Sequence, residues 1–139
     1  MSVSILIVTH GNIGQATLDA AIEIIGSSPM AAKAINIDRN ADYDSLVTKV
    51  NTAAKEINAG DGVLLLTDLY GSTPSNIASA INIKDSIVIA GLNLPMLIRV
   101  MNYYTLPLYE ISDKAISGGK DGILVYYIDK NMNYDANSN

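Results

Sequence analysis

The chain has 139 residues, 49 % of them apolar, which suits one globular domain able to bury a core of its own. Nine Lys and Arg against fourteen Asp and Glu leave a net charge of −5 with no basic cluster, which argues against nucleic acid and leaves room for a basic protein partner. The chain has no cysteine, hence no disulfide framework, thiolate nucleophile or cysteine-based metal site, and no apolar run is long enough for a membrane span. Because the start, Met1-Ser2-Val3-Ser4-Ile5, lacks a basic segment and a small-residue cleavage site, no signal peptide is expected and a cytoplasmic location is.

Short apolar runs alternate with longer helical patterns through residues 1–128, which read as one domain without a repeat or an internal linker. The first run, residues 3–9, is rich in β-branched side chains and stops at His10-Gly11. A helix is expected from Gly14 to about Ile25, with Ala16, Ala20, Ala21, Ile24 and Ile25 as its apolar residues and Gly26 as its end. A weaker second strand covers residues 34–38. Asp42 and Asp44 then open a helix whose stripe is Leu46, Val50, Ala53 and Ile57. The third strand runs over residues 62–68, and a short helix starts at Thr73-Pro74, carrying Ile77, Ala78 and Ile81. A fourth strand over residues 86–91 precedes a helix that follows Pro95, with Asn93 as its cap. After Pro107 comes a helix carrying Leu108, Ile111, Ala115 and Ile116, expected to end at Gly118-Gly119. The last strand covers residues 123–128, and the polar tail, residues 129–139, reads as disordered. Runs that are apolar on both faces, alternating with helices, predict an α/β fold: an open parallel sheet with helices on both sides.

In such a sheet ligands bind beyond the carboxyl ends of the strands. His10, the single histidine, stands at the end of the first strand, just before a glycine and a helix. Imidazole is a nucleophile near neutral pH without a strong base to activate it. A phosphoryl group on its ring would face free N–H groups and the positive end of that helix. Asp68 ends the third strand. If the first and third strands are neighbours, its carboxylate can hold Nδ1–H and leave Nε2 free to attack. Alone, either residue reads as readily as a packed or turn-forming side chain. Gly71-Ser72-Thr73-Pro74 makes a hydroxyl-rich turn whose amides can form an anion nest, with Thr73 Oγ1 as a further donor. Tyr70 lies in the same loop. Neither a glycine-lysine phosphate loop nor a GxGxxG fingerprint is present.

Three segments, Ile5-Leu6-Ile7-Val8-Thr9-His10-Gly11, Leu64 to Asn76 (LLLTDLYGSTPSN) and Ile89 to Leu97 (IAGLNLPML), come in the order and at the spacing of a known family. Over roughly residues 3–128 the chain resembles the IIA domain of the mannose-family sugar phosphotransferase system. The resemblance implies that His10 accepts phosphate from the carrier HPr and passes it to a IIB component, that Asp68 orients His10, and that Thr73 lies near the phosphate; the turns at Gly11 and at Gly71-Ser72 are expected to bind the phosphoryl group beside it. It implies strand order 2-1-3-4, and a homodimer in which residues 123–128 form an antiparallel strand exchanged between subunits. It also implies association with a membrane IIC/IID complex, and no metal or organic cofactor.

Two positions depart from the family pattern: Tyr70 stands where many relatives have tryptophan, and Ser72 where a second glycine is frequent. The chain is expected to lack a fused IIB domain, and the resemblance leaves open a sugar transporter or a regulatory phosphorelay. The phosphocarrier subunit of dihydroxyacetone kinase also has a histidine after its first strand, but Gly71-Ser72-Thr73-Pro74 fits the mannose type better. A non-enzymatic anion-binding or regulatory module is the rival from another class.

Overall fold

A computed structural model of the chain describes residues 2–129 and 131. Its elements in chain order are β1 (Ser4–His10), α1 (Ile13–Ile25), β2 (Ala32–Ile37), α2 (Tyr43–Ile57), β3 (Val63–Thr67), α3 (Thr73–Ser79), β4 (Ser86–Ala90), α4 (Leu94–Asn102) and α5 (Leu108–Asp121). The four strands form one parallel sheet in the order β2-β1-β3-β4, as expected.

The central strands carry the strongest apolar runs because both of their faces are covered. Ile5 and Ile7 of β1, with Leu64 and Leu66 of β3, enter a core built with α1, α4 and α5. Leu6, Val8, Val63 and Leu65 enter the opposite core, built with α2 and α3. The edge strand β2 buries only Ile35 and Ile37, which accounts for its weaker sequence signal. Asp42 caps α2 by accepting from the Ser45 amide at 3.0 Å and the Ser45 hydroxyl at 2.8 Å. These bonds hold its carboxyl below the usual carboxylate range. The expected stripe of α2 is buried at Leu46, Val50 and Ala53, joined by Ala54.

The structure corrects two expectations about the elements, the buried face of α1 and the end of α5. The buried face of α1 is Gly14, Leu18 and Ala21, not the face of Ala16 and Ile24, both of which are exposed. Gly14 sets this rotation: a Cβ there would lie 2.7 Å from Ile7 Cγ2, so the helix approaches β1 along a position without a side chain. Helix α5 runs through Gly118 and Gly119 to Asp121. Those glycines bring it close to α4, since a Cβ at Gly118 would collide with Arg99 Cβ. Ile116, placed on the buried stripe from the sequence, is 42 % exposed. Residues 123–127 form no strand in the single chain, and Ile123, Leu124, Tyr126 and Ile128 are exposed. Of the tail, only residues 129 and 131 are described, and the rest of that expectation lies outside the described residues. No helix among the described residues is long and apolar enough to cross a membrane.

Candidate functional site

Parallel pairing carries the ends of β1 and β3 to the same edge of the sheet. Val8 pairs with Thr67, so His10 and Asp68 emerge from adjacent strands within a residue of each other. Asp68 Oδ2 accepts the His10 backbone N–H at 3.2 Å and lies 2.7 Å from His10 Nδ1. A carboxylate can only accept, so Nδ1 carries the proton and Nε2 keeps its lone pair. The histidine side chain is 48 % exposed and the aspartate 12 %. The acid is therefore held in the wall while the ring opens to solvent. Asp68 Oδ1 is buried with no hydrogen-bond partner among the described residues, as is Thr67 Oγ1.

The turn after His10 is tightly determined. Gly11 has φ +45°, a left-handed conformation that glycine adopts without strain, and its N–H donates to Ile37 O at 3.2 Å. Thr9 Oγ1 accepts the Gly14 amide at 2.7 Å and so satisfies one of the free donors of the first turn of α1. No acidic residue stands in that first turn, nor in the first turn of α3, so nothing there competes with an anion.

The loop after β3 brings Gly71, Ser72 and Thr73 to the same edge. Gly71 has φ +78°. Ser72 occupies the cap position of α3, but its hydroxyl donates to Leu69 O at 2.6 Å and accepts no helix N–H. Thr73 and Pro74 line a cavity of about 570 Å³ together with His10 and Gly11. Tyr70 projects from the loop tip with 86 % of its surface exposed, beside the exposed Leu69. Asn93 is structural: its side chain accepts from Met96 N at 2.9 Å and donates to Gly119 O at 3.0 Å, tying α4 to α5.

Sequence reasoning missed the far wall of the cavity. It is formed by Asp38 and Arg39 on the loop after β2, with Tyr43 and Leu46 of α2. The signal was available, because β2 is parallel to β1 and its carboxyl end opens at the same edge.

The arrangement defines a class: a doubly covered parallel α/β domain that presents a carboxylate-held, half-exposed imidazole at its strand ends. Residues 4–115 match the EIIA-man family, described as PTS system fructose IIA component. The chain belongs to this family, the IIA components of the mannose and fructose class of the phosphotransferase system. It is 30 % identical over 127 residues to the PTS system mannose-specific EIIAB component of Escherichia coli K12, covering 88 % of this chain and 39 % of that protein. The chain thus spans about two fifths of that relative's length. The PTS system fructose-specific EIIA component of Bacillus subtilis is 29 % identical over 102 residues, covering 72 % of this chain and 69 % of that one. Among solved structures, the phosphotransferase system component EIIA of Streptococcus agalactiae superposes with a TM-score of 0.74 at 28 % identity, covering 88 % and 96 % of the two chains. The mannose/sorbose-specific IIA subunit of Enterococcus faecalis shares the fold with a TM-score of 0.80 at 24 % identity, covering 95 % and 100 %.

Proposed function

We propose that the protein is a phosphoryl carrier that accepts phosphate from phospho-HPr on His10 Nε2 and passes it to a IIB component for sugar uptake. The observation that carries this reading is the 2.7 Å contact of Asp68 Oδ2 with His10 Nδ1, which leaves Nε2 as the nucleophile on a half-exposed ring. In the transfer the Nε2 lone pair forms a bond to phosphorus as the donor's P–N bond breaks, and the donor nitrogen keeps that electron pair. The proton stays on Nδ1, hydrogen-bonded to the Asp68 carboxylate, whose charge stabilises the phosphorylated ring. The free amides entering α1 and those of Gly71 and Thr73 receive the phosphoryl oxygens, while Gly11 and Ser72, whose amides donate to Ile37 O and Leu69 O, shape the two turns. Catalysis is then positioning and electrostatic stabilisation without a metal or organic cofactor.

A carrier of this kind meets its donor and acceptor in turn, so its interfaces are small and transient. The exposed Leu69 and Tyr70, in the loop that follows Asp68, suit such docking. The working form is a cytoplasmic homodimer in which residues 123–128 pair across subunits, associated with a membrane IIC/IID complex. The apolar, exposed character of residues 123–126 supports that reading.

Incubation with phosphoenolpyruvate, enzyme I and HPr is expected to give an acid-labile, alkali-stable phosphoprotein, and His10→Ala is expected to abolish the label. Equal labelling of that variant would refute the assignment.

A further inference from the structure

We propose that Arg39, on the loop between β2 and α2, grips the phosphoryl group while it is on His10. The inference rests on the carrier reading above and adds to it a cation that binds the transferred group.

Among the described residues, Arg39 is the one cationic side chain that lines the cavity beside His10. Thr73 and Tyr43 line the same cavity and supply hydroxyls. The loop that carries Arg39 is anchored on both sides. His10 pairs with Ile37 across β1 and β2, and the Gly11 N–H donates to Ile37 O at 3.2 Å. Ala41 N–H then donates to Asp38 O at 3.3 Å to close a turn, and Asp42 caps α2. Arg39 therefore stands two residues beyond a strand end that is hydrogen-bonded to the turn following the nucleophile.

Its guanidinium is also uncommitted. Arg39 has no hydrogen bond or ion pair among the described residues, whereas the chain's other arginine, Arg99, contacts Asp121 at 3.3 Å. Electrostatics give such a cation a task. Asp68 already brings a negative charge to the ring, and an arriving phosphoryl group adds more. The amides around it carry only partial charges. A guanidinium fork matches two phosphoryl oxygens at once, which an ammonium does not. A charge-assisted bond of this kind changes an equilibrium or a rate by about ten- to a hundred-fold. Exposure of Arg39 places the effect near the lower end, about tenfold.

The test uses the full chain and a small donor, phosphoramidate, so that no partner protein is in the assay. Its phosphoryl group moves to Nε2 as its P–N bond breaks and ammonia leaves. The expected result is that Arg39→Gln lowers the rate of His10 phosphorylation about tenfold, that Arg39→Lys recovers part of the loss, and that the melting temperature is unchanged. Wild-type rates for Arg39→Gln with phosphoramidate would overturn the proposal. So would a loss seen only with phospho-HPr, which would make Arg39 a contact to the donor protein. In both cases wild type still labels on His10, so the carrier reading stands. A wild-type chain that takes phosphate from neither donor would sink the carrier reading and this inference with it.

Discussion

Asp68 holds His10 through one oxygen that serves two donors, the backbone N–H and Nδ1–H. Both bonds depend on the carboxylate being an acceptor only. Asp68→Asn keeps the size but removes the charge, and it admits an amide N–H facing Nδ1. That would move the ring proton to Nε2 and block attack. Labelling is expected to slow by about ten- to a hundred-fold, the worth of a charge-assisted hydrogen bond. Nitrogen NMR of the His10 ring is expected to show the tautomer shift. An Asp68→Asn variant with the wild-type tautomer and rate would break the assigned role. The histidine and the aspartate were both readable as residues from their places at strand ends. Arg39 was not, because a lone charged residue on a loop carries no pattern, and its value comes from the cavity that two other elements close around it.

Close helix packing decides how α4 and α5 meet. Gly118 lies against the stem of Arg99, and Gly122 against the ring of Pro95. Gly118→Ala raises intrinsic helix propensity by up to about 1 kcal/mol. It also drives a methyl group into the facing Cβ, and overpacking of this type costs about 1–3 kcal/mol. The net expectation is a lower urea midpoint with an unchanged slope, measured by circular dichroism. A stabilised variant would show that the two helices have room to separate. The glycine pair at 118–119 looked like a stop signal in the sequence for a sound reason, since glycine ends helices more often than it continues them. Here the tertiary gain from a close approach outweighs the propensity cost. The same trade fixes the rotation of α1, where Gly14 and not a larger residue faces Ile7. The periodic alanines of α1 suggested a neighbouring face because small apolar residues carry little information about burial.

At the scale of the molecule, β4 is an edge strand whose residues are mostly half-buried, and the segment after α5 leaves Ile123, Leu124 and Ile128 exposed. An open strand edge and an unburied apolar segment are both unfavourable in isolation, and pairing them across a two-fold axis removes both. The full chain is expected to sediment as a dimer, and a chain ending at Gly122 as a monomer that keeps its helix and strand content. A dimeric truncated chain would place the interface elsewhere.

The sequence by itself determined the α/β class, the four parallel strands and five helices, and the places of His10 and Asp68 at strand ends, because strand periodicity, helix caps and strand-end residues are local signals. Order 2-1-3-4 was expected only through likeness to a family. Tertiary structure decided which strands are neighbours, which face α1 buries, and that glycines continue α5. It also decided that a third strand end contributes Arg39 to the cavity. These depend on contacts between residues far apart in the chain, and no local pattern encodes the distance between two side chains that meet across a sheet edge.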